Sequence, residues 1–170
     1  MAETQLPEPW LRGTLTDVPA VKRAVLHTLE LAEEDLAKWC GNLSDAELNA
    51  RPANLAPVAF HIRHICRSID RLLSYAEGKE LGDAQLNALR RELDPGASSD
   101  ELFAELAGAL EEAASRVLAL RPNQMEEPRT VGKKRLPTTV GGLLVHIAEH
   151  TQRHVGQAIT TAKILVASRK

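Results

Sequence analysis

Aromatic side chains are nearly missing from this sequence: of 170 residues, two are Trp, one is Tyr and two are Phe. A platform of rings for stacking nucleic-acid bases is therefore not expected. Cysteine is as scarce. Cys40 and Cys66 are the two present, both fall in helical patterns, and such usage is no disulfide scaffold and fits a reducing, cytoplasmic setting. No run approaches about 18 uninterrupted apolar residues, so no membrane span is expected. The opening stretch, MAETQLPEPW, is acidic and has no apolar core, so it does not read as a signal peptide. Charge of one sign is also lacking: 21 Lys and Arg face 23 Asp and Glu, for a net charge of −2. A general nucleic-acid binder would show a basic excess. The densest basic stretch, RTVGKKR from Arg129 to Arg135, holds a Gly among neighbouring prolines and reads as a solvated loop, with anion binding as its alternative use.

What the chain does have is helical periodicity. Its length fits one domain spanning 1–170, with a core over about 18–167. Residues 1–16 read as an irregular lead-in kept extended by Pro7 and Pro9, with Trp10 and Leu11 pinning it to the body. A first long helix is predicted over 18–40, with Asp17 as its cap and Val21, Val25, Leu29 and Leu36 on its apolar side; Gly41-Asn42 stops it. Ser44 and Glu47 have capping-box spacing, which predicts a short helical turn. A second long helix over 56–77 carries Val58, Ile62, Ile65, Ile69, Leu72 and Leu73 at helical spacing and ends at Gly78. A weaker segment at 82–93 reads as a short helix. The third long helix, 99–120, opens on a Ser98/Glu101 capping box and buries Leu102, Leu106, Leu110 and Val117. A loop over 121–137 follows, long for a helix–helix connection. The fourth long helix, 139–167, is capped by Thr138 or Thr139. No alternating strand pattern competes anywhere. Four amphipathic helices must bury their stripes against one another, and a four-helix bundle does so.

Histidine is the chemically loaded residue. Five of the six histidines (27, 61, 64, 146, 150, 154) fall in two helices. His146, His150 and His154 follow at i,i+4 steps, which stack side chains on one face. Two such imidazoles can converge on one ion. Three cannot easily do so, because His146 and His154 are about 12 Å apart in rise. The pair is therefore 146/150 or 150/154, and His61 or His64 on the second helix would add a third ligand. Three neutral nitrogens leave an open position on a divalent ion, the catalytic rather than structural type of site. Spacing leaves the trio 61/146/150 open beside 64/150/154. His27 reads as an ordinary hydrogen-bonded residue.

The stretch TTVGGLLVHIAEHTQRHVGQAITTAKIL resembles the last bundle helix of the DinB-like superfamily, whose hallmark is a histidine, three residues, a second histidine, then Gly-Gln. His150, His154, Gly156 and Gln157 match it. LAPVAFHIRHICRSIDRLLSYAEGK resembles the second helix of those proteins, in which a small or polar residue precedes a ligand histidine by seven positions. Pro57 and His64 keep that step, although Ser or Thr is commoner at its start. The acidic residue usual soon after that histidine is not evident, since Ser68 stands at i+4 and Asp70 at i+6. The likeness covers about residues 20–165. It implies an all-α, up-down-down-up four-helix bundle with short additional helices, and one divalent ion, zinc or nickel, on His64, His150 and His154. It also implies a homodimer, and an activity like that of the transferases and isomerases of the family that use small thiols such as bacillithiol or mycothiol. A hydrolase on the same site and a non-catalytic metal-binding bundle are the alternatives. The H-E-x-x-H glutamate of many zinc hydrolases is absent, since Thr151 and Val155 follow the two histidines.

Gln157, one turn beyond His154, is the candidate for orienting a ligand or a small-molecule substrate. Gly156 in mid-helix costs about 1 kcal/mol relative to Ala, which a close helix crossing or substrate access would explain. Cys66, two positions after His64, is expected in the core rather than as a nucleophile.

Overall fold

The structure is a computed structural model that describes residues 6–169. The first five residues of the predicted lead-in lie outside the described residues. The elements are α1 (Ala20–Cys40), α2 (Asp45–Leu48), α3 (Val58–Ala76), α4 (Asp83–Arg90), α5 (Ser99–Ala119), β1 (Pro128–Val131), β2 (Leu136–Thr139) and α6 (Val140–Ala167). The four long helices are α1, α3, α5 and α6, and each starts within about two residues of its sequence expectation.

Local chemistry sets these ends. Ser44 and Glu47 close a capping box on α2, and Ser98 and Glu101 close one on α5, satisfying amide groups that the first helical turn leaves unpaired. Thr139 Oγ1 accepts from the Gly142 amide at the start of α6. Gly78 takes φ +75° just past α3, a conformation that glycine adopts without Cβ strain. Asp17 does not cap α1: the helix begins two residues later than expected, Pro19 stands at its cap position, and no side chain bonds there.

Cross-helix contacts give the direction of each helix. Between α1 and α6 the partners rise together, with Gln152 Nε2 donating to Thr28 O and Lys163 Nζ lying 4.1 Å over the Trp39 ring. These two helices are parallel. Between α3 and α6 the order reverses, His64 meeting His150 and His61 meeting His154. Between α3 and α5 it rises again, Arg67 with Glu105 and Glu77 with Arg116. The bundle is thus up-down-down-up, with α6 lying beside α3. Leu36, Ile62, Ile65, Ile69, Leu73, Leu102, Leu106, Leu144 and Ile147 are all fully buried in its centre. Each such side chain contributes roughly 1.5–3 kcal/mol over leaving it exposed. Lys22, at the start of α1, is buried and spans to the last turn of α5, donating to the carbonyls of Leu118 (2.7 Å) and Leu120 (2.8 Å). A cation there meets the negative end of the helix dipole.

Two expectations are corrected. The 121–137 segment is not simply a loop: β1 and β2 pair antiparallel from Pro128↔Thr139 to Val131↔Leu136. Four-residue strands are too short to show an alternating pattern, and the prolines are tolerated because a two-stranded ribbon consists of edges. The hairpin is strapped to α6 by Gly141 N donating to Met125 O (2.8 Å). Trp10 and Leu11 do not pin the lead-in, being 62% and 56% exposed. Its anchors are buried Pro9 and the Arg12 guanidinium, which reaches Glu30 and Glu34 on α1. Among the described residues, no helix is long and apolar enough to cross a membrane.

Candidate metal centre

The apolar stripe of α3, Ile62, Ile65 and Ile69, turns toward the bundle axis and carries His61 and His64 to the edge of the α6 contact. On α6 the buried positions Ile147, Thr151, Val155 and Ala158 do the same for His150 and His154. Because the two helices run antiparallel, the four rings interleave. His64 Nε2 lies 2.9 Å from His150 Nε2, and His61 Nδ1 lies 3.0 Å from His154 Nδ1. Ring centroids are 4.3 Å apart for His64–His154 and 4.6 Å for His150–His154.

One nitrogen from each of His64, His150 and His154 falls within 4.8 Å of the other two, an arrangement that could hold a metal ion. Nitrogens each about 2.0–2.1 Å from a tetrahedral ion would stand roughly 3.3 Å apart, so small ring movements bring the group onto one ion. Protonation also fits. Burial, reinforced by the neighbouring imidazoles, pushes His150 and His154 down to about 4. Both are therefore neutral, as a metal ligand must be. His150 Nδ1 is buried and has no hydrogen-bond partner among the described residues.

The surroundings fix ring orientation. His64 Nδ1 is 2.7 Å from Glu92 Oε2, and Arg71 donates to Glu92 Oε1 at 2.8 Å. Glu92 is only 5% exposed. Burial alone would raise its carboxyl, but the His64 and Arg71 hydrogen bonds outweigh this and hold it below the ordinary value. As an anion Glu92 can only accept, so His64 carries its proton on Nδ1 and presents the Nε2 lone pair to His150. Phe60 stacks on the His64 ring at 5.4 Å and meets His61 edge-on at 5.2 Å, covering one side.

The remaining candidates separate clearly. His61 stands beside the group as the partner of His154, and burial followed by the nearby His64 pushes it down to about 4. His146 pairs with Glu149 at the surface, 2.7 Å away. His27 is buried, with Nε2 3.1 Å from Thr14 Oγ1. Cys66 is buried as expected, and burial drives its thiol up to about 12, far from a nucleophile's range. Gln157 is exposed and reaches none of the imidazoles among the described residues. With Leu55, Ala56, His61, Arg153 and Gly156 it lines a recess of about 330 Å³ beside the group. A Cβ at Gly156 would meet nothing within 4 Å, so no close helix crossing explains this glycine. Glu92, Arg71 and Phe60 were not singled out in the sequence. Glu92 sits just past α4, and no spacing rule joins position 92 to 64.

Comparison with known proteins agrees with this architecture. The family model described as the DinB superfamily matches residues 28–158. A solved structure described as a conserved protein from Enterococcus faecalis superposes with a TM-score of 0.67 at 20% identity, covering 87% of this chain and 98% of that one. At that identity the likeness shows the fold. No curated protein matches the chain.

Proposed function

The chain belongs to the DinB superfamily, and from that premise we propose that it is a metal-dependent transferase using a low-molecular-weight thiol, its divalent ion, zinc or nickel, held by His64, His150 and His154. The observation that carries the reading is the facing pair of nitrogens on His64 and His150, one ring fixed by Glu92 and the other left with a buried, unpartnered Nδ1. A divalent ion bound there supplies an open position that favours a thiol as its thiolate.

The chain's own residues do the rest. Glu92 holds the Nδ1 proton of His64 and Arg71 holds Glu92, so the ring cannot turn its lone pair away. His61 plays the same part at His154. Phe60 shields the His64 ring from water. Transfer is favoured over hydrolysis by what surrounds the group. Thr151 is buried, Glu149 is engaged with His146, and Glu92 has both oxygens committed. Among the described residues, these carboxylates are thus not free to take a proton from water, the task of a general base. We further propose a cytoplasmic homodimer. Two free thiols, at Cys40 and Cys66, suit a reducing compartment, and family likeness supports the dimer, which sedimentation at micromolar concentration tests.

The deciding experiment measures metal per chain on full-length protein purified without a histidine tag. His64→Ala, His150→Ala and His154→Ala should each lose the ion while staying folded, and His146→Ala should keep it. Loss in His61→Ala and His146→Ala with retention in His64→Ala and His154→Ala would overturn the assignment.

A further inference from the structure

We propose that the recess walled by His61, Arg153, Gly156 and Gln157, next to the three-histidine group, is the subsite for the carboxylate of a small organic acid. The inference deepens the metal-enzyme reading and rests on it for its purpose.

The first observation is Gly156. A glycine in the middle of a 28-residue helix weakens it by about 1 kcal/mol relative to Ala. At Gly141, in the first turn of α6, an added Cβ would lie 3.2 Å from Met125 O, whereas Gly156 and the mid-α5 Gly108 meet nothing within 4 Å. Gly156 differs from Gly108 in lining a recess next to the imidazoles. The glycine leaves open a volume that a large side chain would occupy.

The second observation is Arg153. Arg153 reaches no carboxylate among the described residues, as is also true of Arg23, Arg51, Arg63, Arg90 and Arg135; what sets it apart is its place next to His154 and on the recess wall. A guanidinium offers a planar fork of donors that matches the two oxygens of a carboxylate. One turn along α6, the exposed Gln157 amide adds a further donor with no partner among the described residues. The Thr160 hydroxyl is already spent on Gly156 O at 2.8 Å. Leu55 and Ala56 form the opposite, apolar wall, which suits a short hydrocarbon chain. At about 330 Å³ the recess sits at the small end of the range for small-molecule sites, about 300–1,000 Å³. The ligand class is therefore a monocarboxylate with a short aliphatic body, one cation and one amide being matched to one negative charge.

The test titrates sodium butyrate, and separately butyramide, into ¹⁵N-labelled full-length protein, with zinc added and again after chelation. The amides of Gly156, Gln157 and Thr160 should shift saturably with butyrate, with at least about tenfold weaker binding of butyramide, the size of a charge-assisted contact. Arg153→Gln should erase that preference. Gly156→Leu should abolish binding while zinc per chain stays unchanged, and Gly156→Ala should raise the thermal midpoint. Absence of saturable shifts in both titrations, equal binding of acid and amide, or tighter binding of butylphosphonate than of butyrate overturns the proposal. So does a change of oligomeric state in Gly156→Leu, since the recess would then be covered by a second copy. If butyrate binds but zinc does not, the subsite stands and the metal reading falls. If zinc binds and butyrate does not, the reverse holds.

Discussion

Helix α3 has two polar seams, and they are built on opposite principles. Toward α5 every charge meets its opposite. Arg67 pairs with Glu105 at 2.9 Å, and Arg116 is shared between Asp70 (2.7 Å) and Glu77 (2.6 Å), with Ser74 and Gln85 completing the hydrogen bonds. Toward α6 the polar groups are four imidazoles. Three of them, His61, His150 and His154, are driven neutral by burial and by neighbouring imidazoles, and His150 Nδ1 has no partner among the described residues. The α5 seam is matched charge to charge by the protein itself; even Glu77 Oε2, buried without a hydrogen bond, has Lys79 Nζ 2.8 Å away. The α6 seam instead turns imidazole nitrogens of His64, His150 and His154 toward one another, a group that could hold a metal ion. Unpaired polar atoms in a buried interior are costly, and two of the three among the described residues, His150 Nδ1 and Thr151 Oγ1, are neighbours on α6 beside the imidazole group.

The contrast can be broken most forcefully with metal. Zinc at about a thousandfold over its dissociation constant stabilises the folded state by roughly 4 kcal/mol, a rise of roughly 10 °C in the thermal midpoint. His150→Ala should abolish that rise. Equal stabilisation of native protein and variant would show that the α6 seam is not where the ion acts. On the other seam, Arg116→Ala should cost about 1–3 kcal/mol in urea unfolding, discounted for the partial exposure of its partners. Its zinc content should not change. A loss of zinc there would mean that the two seams are not independent.

Glu92→Gln sharpens the comparison, because it removes the anion while keeping a group that can hydrogen-bond His64. Metal affinity should fall by about 10–100-fold, the usual effect of altering a ligand's outer partner, as read by competition with a chromophoric chelator. The smallest effect belongs to a matched pair at the surface. Glu47 is held down to about 2 by Arg169, then by the Ser44 backbone and hydroxyl. In the unfolded chain this carboxyl takes up its proton near 4.5, whereas the folded protein resists until about 2. Its contribution is thus fully present above the unfolded value and is lost as pH falls through that window. The difference in thermal midpoint between native protein and Glu47→Gln should shrink from pH 6 to pH 3. A difference that widens on acidification would reverse the sign of this account.

Legibility in the sequence followed the range of the interaction. Ser44, Ser98 and Thr139 announced helix starts because a cap and its amide are neighbours in the chain. The histidine ladder of α6 was legible for the same reason, since i,i+4 spacing fixes a face. The choice of His64 over His61 was not readable from spacing, which allowed both. Helix direction and rotation bring His64 into the group and leave His61 beside His154. Glu92 was invisible, because the turn after α4 meets α3 only through tertiary packing. The hairpin was missed because its residue pairs are stabilised across strands, not along them. Asp17 misled because a good capping residue stood two positions too early, with Pro19 between it and the helix.

The Lys22 contact with the end of α5 has a kinetic side. Helix α1 packs chiefly on α5 and α6, the last two long helices of the chain, while its nearest long neighbour in sequence, α3, packs on α5 and α6 instead. The bundle therefore cannot grow by zipping successive helical hairpins. As the chain leaves the ribosome, α1 must wait with its apolar stripe uncovered until residues near Leu118 and Leu120, and then α6, have been made. Non-local closure of this kind slows folding relative to bundles assembled from adjacent helices, and waiting apolar surface is prone to aggregation. Refolding should be slower than for an up-down-up-down bundle of equal length, and fragments ending before α6 should aggregate.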